Sequence, residues 1–212
     1  MVHGMQTRNE DRMNKKKVGM VIAMLLAFLM LAACGTSSAS DGVGKIQICE
    51  DGSIIQTSVA EFDKDYYSKD DLESFAKEEI QAFTASGDGT IELSSVSVEN
   101  QNAELTLKFD SSETYTAFEG KNLFTGTIAQ AIVAGYEPSG YLTQIQERES
   151  ADASMEADKA DYTLDMKVVV LEEQYEVTVP GKILWVSSVG TKVTGKSSVR
   201  VDTDELTYII YQ

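Results

Sequence analysis

Four carboxylates and two phenols crowd into nine positions of this chain: Asp63, Asp65, Asp70 and Asp71 around Tyr66 and Tyr67. Oxygen donors at this density suggest a calcium loop. Such a loop wants acids at its early odd positions, a central Gly and a closing Glu. Asp63 and Asp65 fit the first and third places, but Tyr67 and Ser68 follow where an acid and Gly belong, and Ser74 closes the window. Acids just ahead of a helix are also stabilised by its dipole without any ligand. The adjacent rings leave two readings: a stacking edge for a sugar or peptide, or one ring in the core and one at the surface. Asp63, Asp65, Tyr66 and Tyr67 are thus the candidates for holding a cation or ligand.

The N-terminus carries a different kind of signal. Lys15, Lys16 and Lys17 precede an uncharged run over 18–33, which ends in Leu31-Ala32-Ala33-Cys34. A basic stretch followed by a short apolar one is the pattern of a secretory signal, and 16 residues fall short of the roughly 20 that cross a bilayer as a helix. The last four residues resemble the lipobox of bacterial lipoproteins. That resemblance implies cleavage before Cys34, diacylglycerol attachment to its sulfur, and a place on the extracytoplasmic face of the cell membrane. Two or more acyl chains anchor stably where one is marginal. Residues 34–44 follow as a Gly/Ser-rich tether. Met13-Asn14-Lys15 reads as a more typical start than Met1, with twelve mostly polar residues ahead of it.

Processing at that point changes what chemistry is possible. The whole chain has 212 residues, 18 Lys+Arg, 34 Asp+Glu and a net charge of −16. Removing 1–33 takes away five basic and two acidic residues and leaves 13 against 32, a net of −19. It also removes His3, the single histidine. A chain without histidine builds neither a Ser-His-Asp triad nor a Cys-His pair, nor the usual histidine-bearing zinc sites. No glycine-rich nucleotide motif is present, and the acidity argues against nucleic acid. The expectation is therefore no catalytic residues, no metal and no cofactor. Cys49 remains as the one free thiol. Alternation over 45–49 puts it on the less apolar face with Lys45 and Gln47, which leaves a reactive thiol and a half-buried strand residue both open.

The elements that position these residues follow from hydrophobic period and turn chemistry. Residues 45–50 and 53–62 alternate around Asp51-Gly52, which predicts a hairpin with Ile48 opposite Ile55 and Cys49 opposite Ile54. Ser68 predicts a cap for a helix carrying Leu72, Phe75, Ala76, Ile80 and Phe83, ending near Gly87. A second hairpin is expected over 90–110, with a bulge at Ser94-Ser95. Ser111 or Ser112 then caps a short helix ending at Gly120, and another short helix covers 127–134. The acidic stretch 146–161 reads as a solvated helix or a flexible loop. Beyond it, alternation from Tyr162 to Val170, then Tyr175 to Val179, 183–186, 199–201 and 206–211 predict strands. Trp185 is expected in the core.

This order predicts an α+β fold in one domain over 45–212: a largely antiparallel sheet built from hairpins, with one long and two short helices. Asp51-Gly52-Ser53-Ile54, Phe62-Asp63-Lys64-Asp65-Tyr66-Tyr67, Tyr115-x-x-Phe118 and Leu123-Phe124-Thr125-Gly126-Thr127 resemble a group of uncharacterised lipoproteins of clostridial-type bacteria. That resemblance implies no activity. The function expected is a non-catalytic binding or scaffolding module of the cell envelope, with a protein or glycan partner, contact with the membrane through the lipid, and the oligomeric state open. Two alternatives stand beside it. One is a carboxylate-based hydrolase of wall or surface polysaccharide; the other is an accessory or sensor subunit of a membrane complex.

Overall fold

A computed structural model of the chain describes residues 43–64, 66–145 and 153–212. In chain order these form β1 (Lys45–Ile48), β2 (Ile54–Glu61), α1 (Lys69–Ser86), β3 (Ile91–Glu99), β4 (Asn102–Phe109), α2 (Ser112–Glu119), β5 (Leu123–Thr127), α3 (Ile128–Val133), β6 (Tyr141–Gln144) and β7 (Ala153–Glu156). A single 3-10 turn (Ala157–Lys159) leads on to β8 (Lys167–Leu171), β9 (Glu176–Thr178), β10 (Ile183–Ser187), β11 (Thr191–Val193), β12 (Ser198–Val201) and β13 (Thr207–Tyr211). The strands make two sheets. Sheet A has the order β11-β12-β9-β1-β2-β4-β3 and sheet B the order β5-β8-β13-β10-β6-β7. Pairing is antiparallel except between β1 and β9. The architecture is mixed and mostly antiparallel, compatible with an α+β class.

The three helices begin and end on side-chain chemistry visible in the sequence. Ser68 Oγ accepts from the Asp71 amide at 3.3 Å and Ser111 Oγ from that of Thr114 at 3.1 Å. Thr127 and Gln130 form a reciprocal capping box, satisfying amides that a helix start leaves without partners. Gly87 and Gly120 end α1 and α2.

The two sheets pack face to face. Ile46, Ile48 and Ile54 of β1 and β2, with Val177, Val199 and Val201, meet Val169, Leu171, Ile183 and Ile209 of sheet B in one apolar cluster. Helix α1 covers the β3–β4 end of the same face of sheet A, where Leu72 and Phe75 lie against Ala103, Val96 and Val98. Sheet B has a second apolar cluster on its far side: Val168, Val170, Trp185, Tyr208 and Ile210 pack against Ile128 and Ala131 of α3. Its central strands therefore carry near-continuous apolar runs, Val168 to Leu171, Tyr208 to Tyr211 and Ile183 to Val186, as strands buried on both faces do. Each such side chain contributes about 1.5–3 kcal/mol on burial.

Three expectations are corrected. The first hairpin is shifted by one residue: Ile48 faces Ile54, and Gln47 faces Ile55. Cys49 pairs with Ser53 beyond the strand end, its amide donating to the Ser53 carbonyl at 2.9 Å. The loop is then Glu50-Asp51-Gly52, three residues with Gly52 at φ +85°, a geometry that calls for a left-handed glycine before the return strand. The strand expected to start at Tyr162 starts at Lys167, after a turn closed by the Met166 amide donating to the Thr163 carbonyl at 3.1 Å. Within the acidic stretch, β7 pairs with β6, so 153–156 are strand rather than helix or loop; 146–152 lie outside the described residues.

Candidate functional site

The one-residue shift in the first hairpin decides which polar side chain enters the core. With Ile46 opposite Gln56, β2 turns Gln56 inward beside Ile54, and Gln56 is 1% exposed. A buried amide needs partners, since stranding one costs about 1–3 kcal/mol. Gln56 Nε2 donates to the Tyr175 hydroxyl at 2.9 Å and approaches that of Tyr115 at 3.5 Å. The Tyr115 hydroxyl in turn donates to Glu173 Oε1 at 3.0 Å. Helix α2 supplies Tyr115, and one turn later Glu119 on the same side. The connection between β8 and β9 supplies Glu173 and Tyr175. Five polar residues from three regions thus converge at one end of the interface between the sheets. Gly44 closes that end: a Cβ there would stand 2.5 Å from the Tyr175 ring.

Burial sets the electrostatics. Desolvation, reinforced by the neighbouring Glu173 charge, pushes the Glu119 carboxyl up to about 7, with a hydrogen bond to Gln56 opposing. Glu173 is raised by desolvation, while the Tyr115 hydroxyl pulls it back. Both phenols are raised by desolvation and stay protonated. Glu119 therefore titrates near neutral pH, close to a second acid, Glu173, that accepts from the Tyr115 hydroxyl. Such a pair is the raw material of acid–base chemistry.

Neither of two surface concavities reaches that pair. One, of about 480 Å³, lies between α1 and β3 and is lined by Lys77, Ile80, Gln81, Thr84, Ala85 and Leu93. The other, of about 180 Å³, lies beside the first hairpin and is lined by Asp51, Ser53, Thr90, Glu92, Lys108 and Asp110. In the smaller one Asp51 and Asp110 are already engaged. Ser53 donates both its hydroxyl and its amide to Asp51 Oδ1, at 2.6 and 3.0 Å, which holds Asp51 below its usual range. Thr114 and the Thr90 amide do the same for Asp110. Among the described residues no group of three or more acids or thiols could hold a metal ion.

No family model, no curated protein and no solved structure matches this chain.

The residues singled out from sequence lie away from the buried cluster. Tyr66 is 68% exposed. Tyr67 is half-buried, tilted against Phe62 at 4.8 Å between ring centres and edge-on to Tyr66 at 5.0 Å. Asp63 forms an exposed ion pair with Lys64 at 2.7 Å. Asp65 and Cys34 lie outside the described residues. Cys49 is a free, half-buried thiol at the hairpin loop. Sequence reasoning missed Gln56, Tyr115, Glu119, Glu173 and Tyr175 as a group. The one local hint was the spacing of Tyr115 and Glu119 on α2.

Proposed function

We propose that this chain is a lipid-anchored extracytoplasmic protein whose folded domain binds or scaffolds a component of the cell envelope without catalysing a reaction. The observation that carries the reading is Leu31-Ala32-Ala33-Cys34 at the end of a basic-then-apolar leader. Two further facts are compatible with it. No helix among the described residues is long and apolar enough to cross a membrane. The acids with raised proton affinity face Tyr and Gln partners between the sheets rather than either concavity. The test is metabolic labelling with a radiolabelled fatty acid, followed by membrane fractionation. Label on the native chain and its loss from Cys34→Ala, with release of that variant from the membrane after leader cleavage, is the expected result. A cleaved Cys34→Ala chain that still partitions to the membrane overturns the anchor.

A second reading, a carboxylate-based hydrolase of wall or surface polysaccharide, draws on Glu119. A carboxyl that holds its proton to about pH 7 beside a second carboxylate has the composition glycoside hydrolysis uses. Release of reducing sugar from purified wall polysaccharide, lost in both Glu119→Gln and Glu173→Gln, is its signature. Release that survives both substitutions removes it.

A further inference from the structure

Sheet A ends on an unusually long open edge. Strand β3 runs for nine residues and pairs with β4 alone; among the described residues its backbone makes no bond to any other element. The other terminal strands are shorter, at three residues in β11, five in β5 and four in β7. Proteins normally blunt such an edge with charged side chains, Lys above all, with Pro or with a bulge; the charges on β3 are Glu92 and Glu99. Here neither Lys nor Pro occurs in Ile91–Glu99, and a single bulge between Leu93 and Ser95 leaves five regular residues after it. Five residues are the usual length of a paired strand.

The larger concavity lies between this strand and α1: Leu93 of β3 lines it together with Lys77, Ile80, Gln81, Thr84 and Ala85 of α1. An added strand exposes alternate side chains to the two faces of a sheet. Those on the α1 side would enter this mostly apolar groove, while the backbone paired with β3. Open backbone and adjacent apolar seat together make the geometry of strand addition, in which main-chain bonds supply affinity and alternate pockets supply selectivity.

Charge identifies the occupant. On β3 the acids are Glu92 and Glu99, on the face opposite to Leu93, with Lys108 paired across from Glu92; α1 adds Asp70, Asp71, Glu73, Glu78 and Glu79 against Lys69 and Lys77, so the two elements together carry a net of −5. Lys77 is already paired with Glu73 at 2.6 Å. A second copy of the chain would bring the same acids against these, which disfavours self-pairing. We infer that the β3 edge and the α1–β3 groove form a docking site for an extended segment of another polypeptide in which apolar and basic residues alternate. This inference deepens the binding-module reading; it does not depend on the lipid.

The test uses the full chain in detergent and a fluorescein-labelled octapeptide of alternating Val and Lys, read by anisotropy and by hydrogen–deuterium exchange. Expected are saturable binding and slowed exchange confined to 91–99 and to α1. Ala85→Arg, at an exposed position in the groove wall, should weaken binding roughly tenfold or more, as should Glu92→Lys with Glu99→Lys. An alternating Val/Glu peptide should not bind. Failure of the Val/Lys peptide to bind, protection at β5 or β7 instead, or undiminished affinity in Ala85→Arg each overturns the site. So does sedimentation showing a dimer whose 91–99 amides are protected without peptide. Because fatty-acid labelling reads none of these quantities, the anchor and the docking site can fail separately.

Discussion

Sheets A and B are built from similar residues yet tolerate water differently. Sheet A is covered on one face, by sheet B and α1. Its outer face carries Lys45, Gln47 and a Thr57–Thr106 hydroxyl contact of 3.1 Å. Sheet B is covered on both faces, so Val168, Val169, Val170 and Leu171 are all buried, as are all five residues of β13. The difference teaches where alternation is informative. A period of two reports one wet face; a continuous apolar run reports a layer in the middle. Where the two sheets meet at the Gln56 end, polar residues replace apolar ones, and the stability of that end becomes dependent on pH.

The largest test of this contrast takes neighbouring isoleucines in each sheet. Ile209→Ala and Ile210→Ala should each cost about 2–5 kcal/mol, because both faces of β13 are packed. In sheet A the same pair of truncations should split: Ile54→Ala in that range, and half-buried Ile55→Ala below about 1 kcal/mol. Denaturant unfolding of the full-length variants measures all four. An Ile210→Ala as mild as Ile55→Ala would break the two-faced description of sheet B.

Next comes pH. The folded state raises Glu119 from the ordinary carboxyl range to about 7, so it holds that proton more tightly than the unfolded chain. The resulting stability is fully present below about pH 4.5 and is lost as pH rises through about 7. Its size is at most about 3 kcal/mol. Glu173 shifts in the same direction. Glu119→Gln should flatten this slope and stabilise the protein above pH 7, as followed by melting temperature across a pH series. A slope unchanged in the variant would place the titration elsewhere.

Tyr115→Phe removes the donor from Glu173 and leaves that carboxylate short of a partner, at a cost of about 1–2 kcal/mol at neutral pH. The loss should shrink at low pH, where Glu173 is protonated; equal loss at both would indicate lost packing alone. Smallest is Thr127→Ala, which dismantles the capping box of α3 and should cost about 1 kcal/mol. Its effect should be confined to the far side of sheet B, seen as faster amide exchange in 128–133 with β3 unchanged.

The parts of this fold legible in the sequence are those decided by neighbours along the chain. Ser68, and the Ser111-Ser112 pair, announce helix starts because capping is chemistry within three residues. The phase change in Ile91–Glu99 announces its bulge for the same reason. Asp51-Gly52 could not decide its own register, since a two-residue loop and a three-residue loop with a left-handed Gly both suit it. The choice falls to packing, which buries Gln56. The polar cluster was invisible for the same cause: Gln56 and Tyr175 stand 119 positions apart, and no spacing rule spans that distance. Strand β5 contains Gly126 in a five-residue run, and β7 lies in an acidic stretch. Both are strands because β8 and β6 offer them an edge to pair with.

The place of β1 in sheet A has a mechanical consequence. β1 lies between two partners, antiparallel to β2 and parallel to β9, and Gly44 just before it accepts from the Glu176 amide at 3.0 Å. A pull applied ahead of Val43 along the strand therefore loads the bonds on both sides of β1 in shear, all sharing the force together. An edge strand peeled from its end would give them up one by one. A domain tethered through its N-terminus would thus take the strain on an interior strand, and the open β3 edge would be left unloaded.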